Sequence, residues 1–186
     1  MLKLHVILCS TRPGRVGEPV ARWFLKTAEQ EGTFAVQLVD LAEMNLPLLD
    51  EPSHPRAEQY TKDHTKRWSA SVREADAFVF VTPEYNYAPP ASLVNALHYL
   101  YNEWNYQPCG FVSYGGLSGG MRSVQVSKQI VTTLKMMPMV EAVNLTFVSQ
   151  QIQDGQFQNT EQNDSAAHGM LTELHKWAKA LKTMRE

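Results

Sequence analysis

Five short apolar runs recur along the chain at similar intervals, and this spacing limits the possible folds more than any other feature. The runs occupy residues 4–8, 35–39, 77–81, 110–113 and 143–148. Their starts are separated by about 31 to 42 residues, the length of a strand, a crossover helix and a return strand. The spacing predicts successive βαβ units and a five-stranded parallel sheet, which is an α/β fold.

The intervals between the runs carry helical patterns. After the first run, Val20, Phe24 and Ala28 recur at helical spacing, with Pro19 in the opening turn and Gly32 as the stop. Similar patterns follow the fourth run and close the chain. Helices are therefore expected on both faces of the sheet.

Two segments depart from this regularity. Prolines interrupt residues 41–60, so we expect an ordered surface loop there, in which the apolar residues need cover. Residues 150–165 are polar and without periodicity, with Ile152 and Phe157 as their anchors.

Length and charge restrict the organisation and the partners. The 186 residues fit one domain, 1–186, and a formal net charge of -2 gives no electrostatic footprint for nucleic acid or an anionic membrane. The apolar runs are too short to span a bilayer. Cys9 and Cys109 are expected to be buried at opposite ends of their strands, unable to bridge, which favours a cytoplasmic location.

The carboxyl ends of parallel strands are where such sheets bind ligands, so the loops there are the candidate sites. Hydroxyl, guanidinium and backbone N–H groups at a helix N-terminus suit a phosphate, and the loop after the first run supplies them from Ser10, Thr11, Arg12, Arg15, Val16 and Gly17. The chain has neither a G-x-G-x-x-G nor a P-loop motif there, so a monophosphate fits better than a dinucleotide. A solvated polar turn is the alternative.

The loop after the third run is rigid and aromatic. It reads Pro83-Glu84-Tyr85-Asn86, and two further prolines precede a helix expected at residues 91–101. Amide and carbonyl groups fixed in this way can read the polar edge of a planar heterocycle. A structural turn with packing tyrosines is the alternative.

The loop after the fourth run is rich in glycine, which allows close approach of backbone N–H groups to a ligand. Its candidate residues are Tyr114, Gly115, Gly116 and Ser118.

The same segment, residues 116–120, also matches the G-x-S-x-G elbow of serine hydrolases. Ser118 would then be the nucleophile, with Asp154 or Asp164 and His168 or His175 as its partners.

Together the three loops resemble the NADPH-dependent FMN reductase family of flavodoxin-like enzymes, which includes quinone, azo-dye and chromate reductases. The resemblance rests on the sequences at residues 10–15, 83–86 and 114–120 and extends over essentially the whole chain. It implies a flavodoxin-like three-layer sandwich. It also implies that Ser10, Arg12, Arg15 and the Gly17 amide hold the FMN phosphate.

The resemblance assigns the other two loops to the flavin ring. The amides of Tyr85 and Asn86 are expected near its pyrimidine edge, and Tyr114, Gly115, Gly116 and Ser118 on its other side. The amides of Gly115 and Gly116 would stabilise negative charge on the reduced ring.

The activity that the resemblance implies is electron transfer from NADPH or NADH through bound FMN to a small acceptor, with no catalytic side chain and no metal. A homodimer or homotetramer is expected, with Trp104 or Tyr106 covering a neighbouring flavin. A flavodoxin-type electron carrier is an alternative, although such carriers are strongly acidic and this chain is nearly neutral.

Overall fold

The computed structural model of this chain describes residues 1–185; Glu186, the last residue of the predicted domain, lies outside the described residues. Its strands are β1 Leu2–Leu8, β2 Phe34–Asp40, β3 Ala77–Pro83, β4 Pro108–Tyr114, β5 Met137–Pro138, β6 Val143–Leu145, β7 Ile152–Gln153 and β8 Gln156–Phe157. Its α-helices are α1 Gly17–Glu31, α2 Leu41–Met44, α3 Asp63–Arg73, α4 Ala91–His98, α5 Met121–Thr133 and α6 Glu161–Lys182. Short 3-10 helices cover Pro55–Ala57, Asn102–Trp104 and Val148–Gln151.

The main sheet is parallel throughout, as the spacing predicts. Its order is β2-β1-β3-β4-β5, and β6 also pairs with β4. The fifth position differs from the prediction, because two short strands share it. Strand β5 ends at Pro138, Met139 N still donates to Cys109 O at 2.8 Å, and strand pairing with β4 resumes at Val143.

Side chains along β1 and the residue that follows it alternate between two apolar cores, one on each face of the sheet. Leu4, Val6 and Leu8 pack with α1 and α6. Ile7 and Cys9 pack with α3, α4 and α5 on the opposite face. The predicted helix-sheet-helix layering is therefore confirmed.

Helix boundaries follow the sequence signals with two exceptions. Gly32 ends α1 in the left-handed conformation as predicted, but α4 ends at His98, short of the expected Tyr101. Helix α6 begins inside the stretch expected to be irregular, because Thr160 and Asn163 cap its N-terminus reciprocally. Among residues 1–185, no helix combines the length and apolar character that crossing a membrane would need.

Residues 41–60 form the ordered loop that the prolines indicate. Asn95 holds it by accepting from Leu49 N and donating to Pro47 O, while His64 bonds Asp50. The expected cover is incomplete, since Leu48 remains 81% exposed.

Cys9 and Cys109 are free and buried, as predicted. Cys9 follows the carboxyl end of β1, and Cys109 lies near the amino end of β4. Burial raises the pKa of both thiols, so both remain protonated.

The first residue of α1 packs directly on the last residue of β4. A Cβ at Gly17 would lie 2.2 Å from Tyr114 Oη and 3.0 Å from Leu8 Cδ1. The Tyr114 hydroxyl is buried and has no hydrogen-bond partner in the described part of the chain. Only glycine lets the start of α1 approach the sheet this closely.

We expect Gly17→Ala to lower the free energy of unfolding by about 1 to 3 kcal/mol, because the new methyl group overpacks this contact. Tyr114→Phe should change stability little, since the hydroxyl that it removes makes no hydrogen bond. The double variant should lose less than the sum of the two single changes, measured by urea unfolding.

Gly169→Ala is the matched control. Gly169 lies in α6, where a Cβ would meet nothing within 4 Å, so this change should stabilise the helix. Strict additivity of Gly17→Ala and Tyr114→Phe would contradict the close packing described here.

Glu51 fastens the 41–60 loop to the chain before α3. Its carboxylate accepts from the backbone N–H groups of Thr61 and Lys62. Burial opposes ionisation, but these bonds outweigh it and lower the pKa of Glu51 from 4.5 to about 2. Its stabilising effect is therefore complete above pH 4.5 and is lost as the pH falls towards 2.

Glu51→Gln should cost about 1 kcal/mol at neutral pH, a small value because the group is open to water. The difference from the unmodified protein should shrink below pH 4.5 in urea unfolding. Glu141→Gln, at an exposed glutamate, is the control. A difference that does not change with pH would show that the Glu51 charge is not responsible.

Candidate functional site

The loops after β1, β3 and β4 meet at the carboxyl edge of the sheet, because these three strands are neighbours. The candidate binding residues predicted from the sequence lie on these loops or on the strand and helix residues that adjoin them. Ser10 Oγ lies 2.8 Å from Tyr85 Oη, and Glu84 N donates to Tyr114 O at 3.1 Å. The structure thus brings the three predicted segments together.

The loop after β1 leads to an uncapped helix N-terminus. Val16 occupies the N-cap position of α1, and no side chain bonds the free amides there. Thr11 and Arg12 are exposed beside this helix start, and Ser10 is buried beneath it. Free amides, a hydroxyl and a guanidinium group at a helix N-terminus fit a phosphate group.

Arg15 is already engaged within the protein. It forms an ion pair with Asp40 at the end of β2, and its Nη1 donates to Ser10 O at 2.6 Å and to Asp40 Oδ1 at 2.7 Å. The hydrogen bond to Asp40 raises the pKa of Arg15. Arg15 therefore shapes the loop, while Arg12 remains the exposed cation.

Asp40 was not identified from the sequence. Its position in the sequence could have identified it. An acidic residue at the carboxyl end of a strand lies at the same edge of the sheet as the predicted basic loop.

The loop after β3 contains a tight turn. Tyr85 and Ala88 exchange backbone hydrogen bonds of 2.9 and 3.0 Å, and Asn86 and Tyr87 between them have φ values of 49° and 69°. Positive φ at both central residues is typical of a type I′ turn. The Tyr85 amide donates to Ala88 O, so the Asn86 amide is the one of the two that stays a candidate donor.

In the loop after β4, too, one candidate amide already has a partner and the other stays available. Gly115 N donates to Leu145 O at 3.2 Å, so the Gly115 amide is already engaged within the protein. Gly116 is exposed, and its amide stays a candidate. Tyr114 is buried beneath α1, so its side chain faces away from the open side of this loop.

Glu84 connects the last two loops. Ser118 Oγ donates to its carboxylate at 2.8 Å, and Arg122 Nε does so at 2.7 Å. Burial by itself would raise the pKa of Glu84, but the bonds from Arg122 and Ser118 outweigh it and lower that pKa. Glu84 is thus a buried anion that fixes the loops.

The serine hydrolase alternative is wrong. Ser118 donates to Glu84 instead of to a histidine. His168 pairs with Glu31 near the end of α1, and His175 packs on Phe34 at the start of β2. Both contacts lie towards the amino edge of the sheet, opposite Ser118.

Burial excludes Trp104 as a cover for a neighbouring flavin, whereas the expectation for Tyr106 stays a prediction. Trp104 is completely buried against Trp68 and Phe78. Tyr106 lies just before β4 begins, at the edge of the sheet opposite the three loops.

A cavity of about 380 Å³ opens beside Thr11, between α2, the loop after it and the first turn of α4. Its lining shares only Thr11 with the candidate residues. The candidate site is therefore the open surface between the loops, and this cavity adjoins it.

Comparison with known proteins agrees with this geometry. Residues 2–150 match the family model of the NADPH-dependent FMN reductases, a span that includes all three loops. The chain is 43% identical over 136 residues to an NAD(P)H-dependent FMN reductase of Schizosaccharomyces pombe, covering 72% of this chain and 68% of that protein. It is 32% identical to a quinone reductase of Pseudomonas putida strain KT2440, covering 74% of each.

A solved structure shows that the fold is flavodoxin-like. The flavoenzyme NAD(P)H:acceptor oxidoreductase FerB of Paracoccus denitrificans superposes with a TM-score of 0.76 at 18% identity, covering 97% of this chain and 98% of that one. The matched span, the identities and the three loops lead to one conclusion: the chain belongs to the NADPH-dependent FMN reductase family.

Proposed function

We propose that this protein is an FMN-dependent NAD(P)H oxidoreductase that passes two electrons from NADPH or NADH through bound FMN to a small acceptor. Acceptors of this class are quinones, flavins, azo dyes and metal oxyanions. The observation that carries the proposal is the uncapped N-terminus of α1 beside Ser10 and Arg12, facing two further loops in a chain of this family.

The loop after β1 would hold the FMN phosphate. Thr11 offers an exposed hydroxyl group and Arg12 an exposed cation, and the amides of Val16 and Gly17 point from the helix start. The Ser10 hydroxyl lies buried beneath them, paired with Tyr85. Arg15 would support this loop through Asp40 and the Ser10 carbonyl, and its charge lies close to the same anion.

The loops after β3 and β4 would border the ring. Pro83, Glu84, Tyr85 and Asn86 form one side, and Tyr114, Gly115, Gly116 and Ser118 form the other. Within these segments, the Asn86 and Gly116 amides are the donors that remain for the polar edge of the ring. An amide held rigidly beside a developing negative charge stabilises it without reorganisation.

FMN supplies the redox chemistry when bound, so no side chain has to act as an acid, a base or a nucleophile. The protein would bind and orient the ring and leave one face open to NAD(P)H and then to the acceptor. The pronounced exposure of the Tyr87 and Leu117 side chains beside the loops agrees with an open site. A flavodoxin-type carrier is disfavoured by the net charge of -2.

We further propose one flavodoxin-like domain over residues 1–186 that assembles as a homodimer or homotetramer in the cytoplasm. Exposed apolar side chains beside the three loops support an assembly surface: Leu48, Leu49, Tyr87, Leu117, Met121 and Phe147. The two reduced, buried thiols agree with a reducing compartment. Neither nucleic acid nor membrane is a proposed partner.

The proposed activity predicts that the purified protein reconstituted with FMN loses its flavin absorbance when titrated anaerobically with NADPH or NADH. A quinone added afterwards should restore it. Bound FMN that neither nucleotide bleaches would refute the reductase and favour the electron carrier. Failure to retain FMN would refute the binding site.

The phosphate assignment predicts that Arg12→Ala and Arg15→Ala each weaken FMN binding by about 1 to 3 kcal/mol, as for a lost charge-assisted hydrogen bond. Only Arg15→Ala should also lower the melting temperature of the apoprotein, because it leaves Asp40 unpaired. Fluorescence titration and thermal unfolding measure the two effects. Unchanged FMN affinity in both variants would show that the phosphate lies elsewhere.

A further inference from the structure

Arg122 lies in the first turn of α5, outside the three sequence motifs. A cation is unfavourable at this position, because the helix dipole already places positive charge at a helix N-terminus. The position therefore calls for a compensating anion. Glu84, on the loop after β3, provides one.

The contact between Glu84 and Arg122 is extensive. The Glu84 carboxylate accepts from Arg122 Nε at 2.7 Å and from the Arg122 backbone N–H at 3.1 Å, and Arg122 Nη2 lies 2.6 Å away. The Glu84 side chain is 6% exposed and that of Arg122 48%. One buried carboxylate thus neutralises the arginine, caps α5 and, through Ser118, holds the loop after β4.

Arg122 also contacts the tip of the loop after β3. Its guanidinium carbon lies 3.8 Å from the centre of the Tyr87 ring, a cation–π arrangement. Tyr87 has a φ of 69°, a conformation that asparagine tolerates but that is strained for an aromatic residue. The guanidinium therefore covers the residue that the turn strains most.

We propose that Arg122 is a positioning residue of the flavin site, which holds residues 83–88 and 114–120 in one arrangement through Glu84 and Tyr87. The inference rests on the proposed function for the identity of the ligand. Arg122 lies on α5 and does not itself border the ligand site. It acts through Glu84 and Tyr87, whose loop does. Loss of Arg122 should loosen both loops while leaving the sheet and the phosphate loop intact.

The first test needs no ligand. In the full-length apoprotein, Arg122→Ala should speed amide hydrogen exchange by about tenfold or more in peptides covering 84–88 and 115–120, with no change in β1 or β3. Lys176→Ala, which removes an exposed ion pair to Glu173 on α6, is the control and should leave both loops unchanged.

The second test uses FMN. Well below the melting temperature, Arg122→Ala should raise the FMN dissociation constant about tenfold, measured by fluorescence quenching. Arg122→Lys keeps the charge but not the planar fork or the stacking face. Its FMN dissociation constant should therefore lie between those of the unmodified protein and Arg122→Ala. The double variant Glu84→Gln/Arg122→Ala should lose less affinity than the sum of the two single losses, because the two residues share one contact.

The outcomes separate the two proposals. If the unmodified protein binds no FMN, the proposed function fails, while loop exchange still tests Arg122. If it binds FMN but Arg122→Ala matches it within twofold in affinity and in loop exchange, the positioning role is refuted. A lower melting temperature with unchanged affinity and exchange would also refute it, because that is the effect of a purely structural residue.

Discussion

Strands β1, β3 and β4 are almost entirely buried, and their pairing determines where every loop of the candidate site lies. Both faces of these strands contact an apolar core, so a shift of one residue in register would exchange two closely packed faces. The register therefore fixes the relative heights of the three loops. The bonds between Ser10 and Tyr85 and between Glu84 and Tyr114 depend on it.

The parts that the sequence predicted are those governed by local rules. The spacing of apolar runs predicted the parallel sheet, and that topology places the three motifs at one edge. The split of the fifth strand was not predicted. The chain ends its first pairing with β4 at Pro138, and that position depends on where the following residues meet β4 again. The start of α6 has a local signal, the capping pair Thr160 and Asn163, which apolar periodicity does not reveal.

Predictions about individual polar groups were less successful, because their availability depends on distant partners. Nothing near Gly115 in the sequence indicates that its amide bonds Leu145, and nothing near Arg15 indicates Asp40. The burial of Trp104 against Trp68 likewise depends on a residue that is distant in the sequence. Long-range hydrogen bonds and packing thus reduce a broad set of candidate donors to a smaller one.

The two cysteines show a further consequence of the layered core. Cys9 and Cys109 belong to the same buried cluster, on the face of the sheet covered by α3, α4 and α5, and both thiols are kept protonated. Since the thiolate is the reactive form, neither side chain competes chemically with a bound redox cofactor. Alkylating reagents can reach them only after these helices separate from the sheet. The pair therefore forms an intrinsic reporter of opening of this face.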